Sequence, residues 1–294
     1  MKFERWKVHR KRDLLLNSQV YAKAKESANQ YNFEQFAQIV ESAGFISPKL
    51  LSSRATLAFV YTLFLILQQS YTLTRIDIMR YTRKWLVLST LTGRYNEAPE
   101  SKANCDLQEI SSKGFALFLE EVEETLLSDS FWSETLVRNL MDDTSSSPLL
   151  NTYLAAQVFF GDRALFSNSV KVADLITVSE DVHPIFSKQY LRENDLKDKM
   201  QYRRAANYAI FDPGSIPSIG KKSPHEFFSS AFDQCNGSSI DVGSITDAQE
   251  FWENLKSNCI PHDVVTMTAD NYPIFLQIRC EMMAAKLRDF YYSL

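Results

Sequence analysis

Apolar positions recur at helical spacing along most of the chain. Over residues 14–43 they return every three or four residues with few breakers, and Asn29 or Asn32 supplies a cap between two helices. Residues 56–67 are apolar almost throughout, which predicts a central core helix; a bilayer span takes about 20 such residues, and this run is closed by Gln68-Gln69-Ser70. Residues 74–91 set Ile76, Ile78, Met79, Trp85, Leu86 and Leu88 among Arg75, Arg80, Arg83 and Lys84, predicting an amphipathic helix with one basic face. Gly93-Arg94-Tyr95-Asn96 ends it. Helices follow over 110–127, 131–141 and 149–160, with a turn-rich joint at 142–148.

Beyond Gly161 the texture changes. Prolines and glycines become frequent, and residues 174–178 and 208–211 are short and β-prone. Helical pattern returns at 247–255 and 274–292. The expected fold is mainly α: a helical domain over 1–165, a small irregular module over 166–235, and C-terminal helices over 236–294 packing on the body. No internal repeat or low-complexity tract is present.

Composition agrees with this pattern. Hydrophobic residues make up 45% and charged residues 23%, with only 8 Gly and 9 Pro, as in a globular, helix-rich chain. A net charge of −4 argues against a surface that is basic all over, and leaves room for a local basic patch. Cys105, Cys235, Cys259 and Cys280 lie far apart with no C-x-x-C pair, so neither a zinc knuckle nor a disulfide framework is expected. With no signal-peptide stretch after Met1, the expected location is cytoplasmic, without membrane contact.

Chemistry is expected in the irregular module. It contains Asp181-Val182-His183-Pro184, then Asn207, then a turn-rich loop leading to Ser223-Pro224-His225-Glu226. A histidine ending a β-prone segment, an asparagine further on, and a loop into a helix is the order of parts in a ββα-metal nuclease. In such a site a divalent cation stabilises charge developing on the scissile phosphate while a histidine deprotonates water. On residues alone, a lone histidine such as His183 is more often a satisfied surface or core histidine than a ligand. Lys2, Arg5, Lys7, Arg10, Lys11 and Arg12, interleaved with Phe3 and Trp6, and the basic face at Arg75, Arg80, Arg83 and Lys84, could neutralise phosphates or simply be solvated. The carboxylates Glu120, Glu121, Glu123 and Glu124 are read as a solvated helix face. The clustered aromatics Phe227, Phe228, Phe232, Phe290, Tyr291 and Tyr292 are read as core.

Several separated stretches resemble the C-terminal, HNH-like nuclease part of GmrSD-type, modification-dependent restriction endonucleases. They are Trp85 with Leu91-Thr92-Gly93-Arg94-Tyr95, Ser147-Pro148-Leu149-Leu150, Gly161-Asp162-Arg163, residues 181–191, Ala206-Asn207-Tyr208, residues 219–227, and Cys259-Ile260-Pro261 with Phe275 to Arg279. The resemblance implies a ββα-metal (HNH/His-Me finger) module, with His183 and Asn207 as catalytic and metal-ligating residues for Mg²⁺ or Mn²⁺ if the site is active. It makes Arg203, Arg204, Lys221 and Lys222, which flank the site, the DNA-binding residues. The implied partners are double-stranded DNA, carrying modified bases, and a ParB-like NTP-using sensor subunit, encoded separately or lost with a preceding segment. The chain departs from the family pattern at three points: Pro184 stands at the general-base histidine, Ile216 at the last asparagine, and Ser187 at a proline. Loss of a general base removes about 100- to 10,000-fold in rate. The expected function is thus a catalytically impaired HNH-like subunit of an anti-phage restriction system acting through DNA or partner binding. The alternatives are an active endonuclease with rearranged ligands, using His183, Asn207 and Asp181 or His225, and a helical protein-interaction module.

Overall fold

A computed structural model describes residues 29–178, 182–216, 220 and 222–294, and in it the chain is mainly helical. It divides into two compact units, one running to Phe131 and taking in Tyr291–Leu294, the other Trp132–Phe290. The helix at 148–160, which the sequence pattern groups with the N-terminal body, therefore packs in the second unit with the irregular module.

The first unit is built from α1 (Gln30–Ser42), α2 (Arg54–Gln68), α3 (Arg75–Leu91), α4 (Pro99–Lys113) and α5 (Phe115–Leu126). Asn29 caps α1, its side chain accepting from the Asn32 N–H. The apolar run of α2 is the centre of this core, with Phe59, Val60, Leu63 and Phe64 buried. No helix among the described residues is long and apolar enough to cross a membrane. One expected helix over 110–127 is instead two, because Gly114 lies between them at φ 81, a conformation other residues adopt at a cost. The segment 99–113, which the sequence pattern left unassigned up to Ile110, is helical from Pro99.

Buried Trp85 donates through Nε1 to the Tyr95 hydroxyl (3.1 Å), which donates to Asp106 (2.8 Å). Arg94 closes the cluster with a two-pronged contact to the same carboxylate at 2.8 and 2.7 Å. The Trp85 and Gly93-Arg94-Tyr95 stretch thus ties the end of α3 to α4, a structural duty. A charge pair this deep repays its desolvation only when both partners are fully hydrogen-bonded.

A π-helical turn at Phe131–Thr135 carries the chain from the last residue of the first unit's main segment into the second, where it runs into α6 (Leu136–Asp142), followed by α7 (Pro148–Phe160) and α8 (Val172–Val178). The β-prone expectation for 174–178 is overturned: the Asp174 carboxylate accepts from the Lys171 N–H and starts a helix whose Ile176 is buried. β1 (His183–Pro184) leads through α9 (Lys188–Glu193) and α10 (Lys199–Tyr202) to β2 (Tyr208–Ala209). The two strands pair antiparallel, His183 opposite Ala209 and Pro184 opposite Tyr208. α11 (Pro224–Asp233), α12 (Ala248–Ser257) and the long α13 (Tyr272–Ser293) complete the chain.

The core of this unit is aromatic. Phe166 meets Phe211, Phe227, Phe228 and Phe251 at ring distances of 5.0–6.3 Å, so the aromatics at 227 and 228 are core as expected. Phe166 sits at φ 67 and is held there by Asn254, whose side chain accepts the Phe166 N–H. A Cβ on Gly243 would lie 2.3 Å from the Phe166 carbonyl oxygen, so only glycine fits beside it.

Candidate functional site

β1 and β2 bring His183 and Asn207 into one small substructure, but with unequal prospects for chemistry. Asn207 is fully buried. Its side-chain oxygen accepts the Phe186 N–H at 2.9 Å, and its amide donates to the carbonyls of Phe186 (3.0 Å) and Tyr202 (3.3 Å). Its own backbone carbonyl accepts the Ile185 N–H at 2.7 Å. The side chain that resemblance makes a catalytic and metal-ligating group is engaged on three backbone groups, and it closes the turn after β1. In this arrangement the polar atoms of the buried amide hold the fold, and none of them faces solvent where a cation would sit.

His183 is half-buried on β1, its ring 6.5 Å from that of Phe211 and nearly perpendicular to it. Pro184, in the position of the general base, has no titratable group, and Ile216 has no donor atom for a cation. Ser187 accepts the Tyr190 N–H at 3.1 Å and caps α9, so this departure from the family pattern serves the start of a helix. His225 is turned to the Val265 carbonyl and the Ser229 hydroxyl. Asp212 is buried and accepts the Gly214 N–H, bracing a turn. Among the described residues no group of three or more His, Cys, Asp or Glu side chains is placed to hold a metal ion. The implied cation therefore does not fit the residues at the expected positions.

The expected DNA-binding residues also separate. Arg203 is exposed. Arg204 reaches back to α6, donating to the Asp142 carbonyl at 3.1 Å with the Asp142 carboxylate 3.8 Å away. Lys222 is exposed and its charge acts on the carboxyl of Glu226, while Lys221, Asp181 and the N-terminal basic run lie outside the described residues. The basic face of α3 is largely used within its own unit. Arg80 pairs with Asp77 at 3.0 Å, Arg83 donates to the Leu294 carbonyl at 3.1 Å, and Lys84 pairs with Glu123 at 2.8 Å. Glu123 in turn accepts the buried Tyr291 hydroxyl, so this member of the acidic cluster is not simply solvated.

One group at the site ends the resembling stretch Phe275 to Arg279, but nothing in the sequence marks its role. Arg279 on α13 is fully buried, yet it donates to the carbonyls of Ala206 and Tyr208, the residues on either side of Asn207, at 2.5 and 2.8 Å. Its second terminal nitrogen lies 3.5 Å from the Asn258 carbonyl. Three carbonyl dipoles thus solvate a buried guanidinium and nail β2 in place. Close by in the chain, the buried Cys259 has its thiol pKa pushed up by burial, and the Cys280 thiol is pushed up to about 12 by the same cause. Neither is a ready nucleophile.

No protein-family model, no curated protein and no solved structure matches the chain.

Proposed function

We propose that this chain is a DNA-engaging, HNH-like subunit of a modification-dependent restriction system that does not itself cut DNA. The reading rests on the resemblance of the stretches named above to GmrSD-type enzymes. The observation that carries its non-catalytic part is the Asn207 side chain, spent on Phe186 and Tyr202 while Pro184 occupies the neighbouring strand position of the general base. With Pro184 at the position of the general base and Asn207 engaged by the fold, the residues that would activate water and hold a cation are not supplied together. What remains is a β pair and helices that can display charge to DNA, and a role for a separate ParB-like NTP-using sensor in choosing modified sites.

The test is cleavage and gel-shift measurement on unmodified and base-modified plasmid with Mg²⁺ or Mn²⁺, for the wild type and His183→Ala. The expected result is no cleavage by either protein and a shift by both. Metal-dependent cleavage that vanishes in the variant would overturn the reading and establish a site rebuilt around His183.

A further inference from the structure

The turn closed by Asn207 leads directly into α9, and there the side chains of Lys188, Arg192 and Lys197 line an open basin of about 550 Å³ together with Gln189 and Glu193. Lys188 and Arg192 are four residues apart and so share one face of the helix, about 6 Å apart along its axis. Like charges at this spacing cost a short helix a few tenths of a kcal/mol, so the fold gains nothing from the pairing. Both side chains are exposed. Among the described residues, Lys197 pairs with Asp195 and Arg204 with Asp142, while Lys188 and Arg192 enter no ion pair.

The nearby acids Glu193 and Asp198 keep their charge but take neutral donors, not Lys188 or Arg192, as hydrogen-bond partners. Glu193 accepts from the Gln189 amide at 2.8 Å, and Asp198 accepts the Met200 N–H at 3.0 Å. Lys188 is steadied from behind, its ammonium 5.6 Å from the centre of the Tyr202 ring. The basin itself is lined by three basic side chains, Lys188, Arg192 and Lys197, against one carboxylate, Glu193, in a protein whose net charge is −4. Positive charge concentrated against that background meets a partner with repeating negative charge.

We infer that the Lys188–Arg192–Lys197 basin is a contact surface for the phosphate backbone of double-stranded DNA. The choice of DNA rests on the proposed function; the choice of surface rests on the charge alone. Such contacts fix position and orientation and are blind to sequence. Each neutralised phosphate adds about 0.9 to the slope of log affinity against log salt.

The experiment is fluorescence anisotropy of the full chain with a labelled 30-base-pair duplex over a salt series. It compares the wild type with a Lys188→Ala/Arg192→Ala/Lys197→Ala variant and with a Lys49→Ala/Arg54→Ala/Lys256→Ala variant of equal net charge. All six positions are exposed, and unchanged thermal melting establishes that the variants fold. The expected result is about tenfold weaker binding and a salt slope smaller by two to three for the basin variant only. Wild-type binding that both variants weaken equally, or not at all, overturns the basin and leaves the proposed function standing. A wild type that does not bind the duplex overturns both. Binding of phosphatidylserine vesicles but not duplex, lost in the basin variant, overturns the DNA assignment in favour of a lipid surface.

Discussion

Asn207 and Phe186 hold each other by a reciprocal pair of hydrogen bonds, the Phe186 N–H to the Asn207 side-chain oxygen at 2.9 Å and the Asn207 amide back to the Phe186 carbonyl at 3.0 Å. The pair does for the turn after β1 what a longer ladder would do in a larger sheet. It satisfies buried backbone groups that two two-residue strands cannot reach.

Replacing Asn207 with Ala is therefore expected to act on stability. It strands the Phe186 N–H and the carbonyls of Phe186 and Tyr202, and each stranded buried group costs about 1–3 kcal/mol. Urea unfolding should show a loss of about 3 kcal/mol or more. A wild-type midpoint with DNA binding lost would instead give Asn207 a role at a ligand.

Arg279 should be coupled to Asn207, because it grips the carbonyls on both sides of it. Arg279→Ala is expected to cost about 3 kcal/mol, given that hydrogen bonds from a charged group are worth about 1.5–3 kcal/mol each. In a double-mutant cycle with Asn207→Ala the combined loss should fall short of the sum by about 1 kcal/mol or more, as for neighbours sharing one element. Additive losses would mean that the two residues brace β2 independently.

These two residues also mark how far the sequence could be read. The helical elements were legible where apolar spacing and a cap coincide, as at Asn29, Ser53 and Thr74. The break at Gly114 was missed because apolar spacing continues across it, and the helix at Val172–Val178 because β-branched residues outweighed the Asp174 cap. At the site, the order of residues and the resemblance put His183 and Asn207 in one module, while spacing alone was weak evidence. The duty of Asn207 was not legible, since it depends on backbone groups that no side-chain motif records. The role of Arg279, which ends a resembling stretch, was hidden for a related reason. A lone arginine in a helical pattern ordinarily faces solvent, and only the carbonyls converging on it make burial tolerable.

The capping box of α11 gives a pH signature. Ser223 donates its backbone N–H and hydroxyl to Glu226, and these bonds hold the Glu226 carboxyl below its ordinary pKa. A lowered carboxyl pKa contributes stability that is present above the unfolded value of about 4.3 and is lost as pH falls through the lower folded value. Asp77, lowered by Thr74 in the capping box of α3, acts in the same direction. Asp143 and Asp162, raised by burial, act in the opposite one: their contribution is lost as pH rises through the folded value. Glu226→Gln should therefore flatten the acid limb of a melting-temperature profile below about pH 4. An acid limb unchanged by the substitution would assign it to other groups.

Pro184→Ile and Pro184→His separate the two reasons why the site should be silent. If the missing base were the whole deficit, restoring a histidine at 184 would return metal-dependent nicking of supercoiled plasmid, since a general base alone is worth about 100- to 10,000-fold. With Asn207 committed to Phe186 and Tyr202, and Ile216 offering no ligand atom, neither variant is expected to nick DNA. The register of β1 should survive both, because Pro184 contributes no N–H to the pairing with Tyr208 and the neighbouring Ile185 N–H already binds the Asn207 carbonyl. Nicking by Pro184→His but not Pro184→Ile, dependent on Mn²⁺ and abolished by His183→Ala, would show that only the base was lost. The ligand set would then have to assemble when DNA and cation bind together.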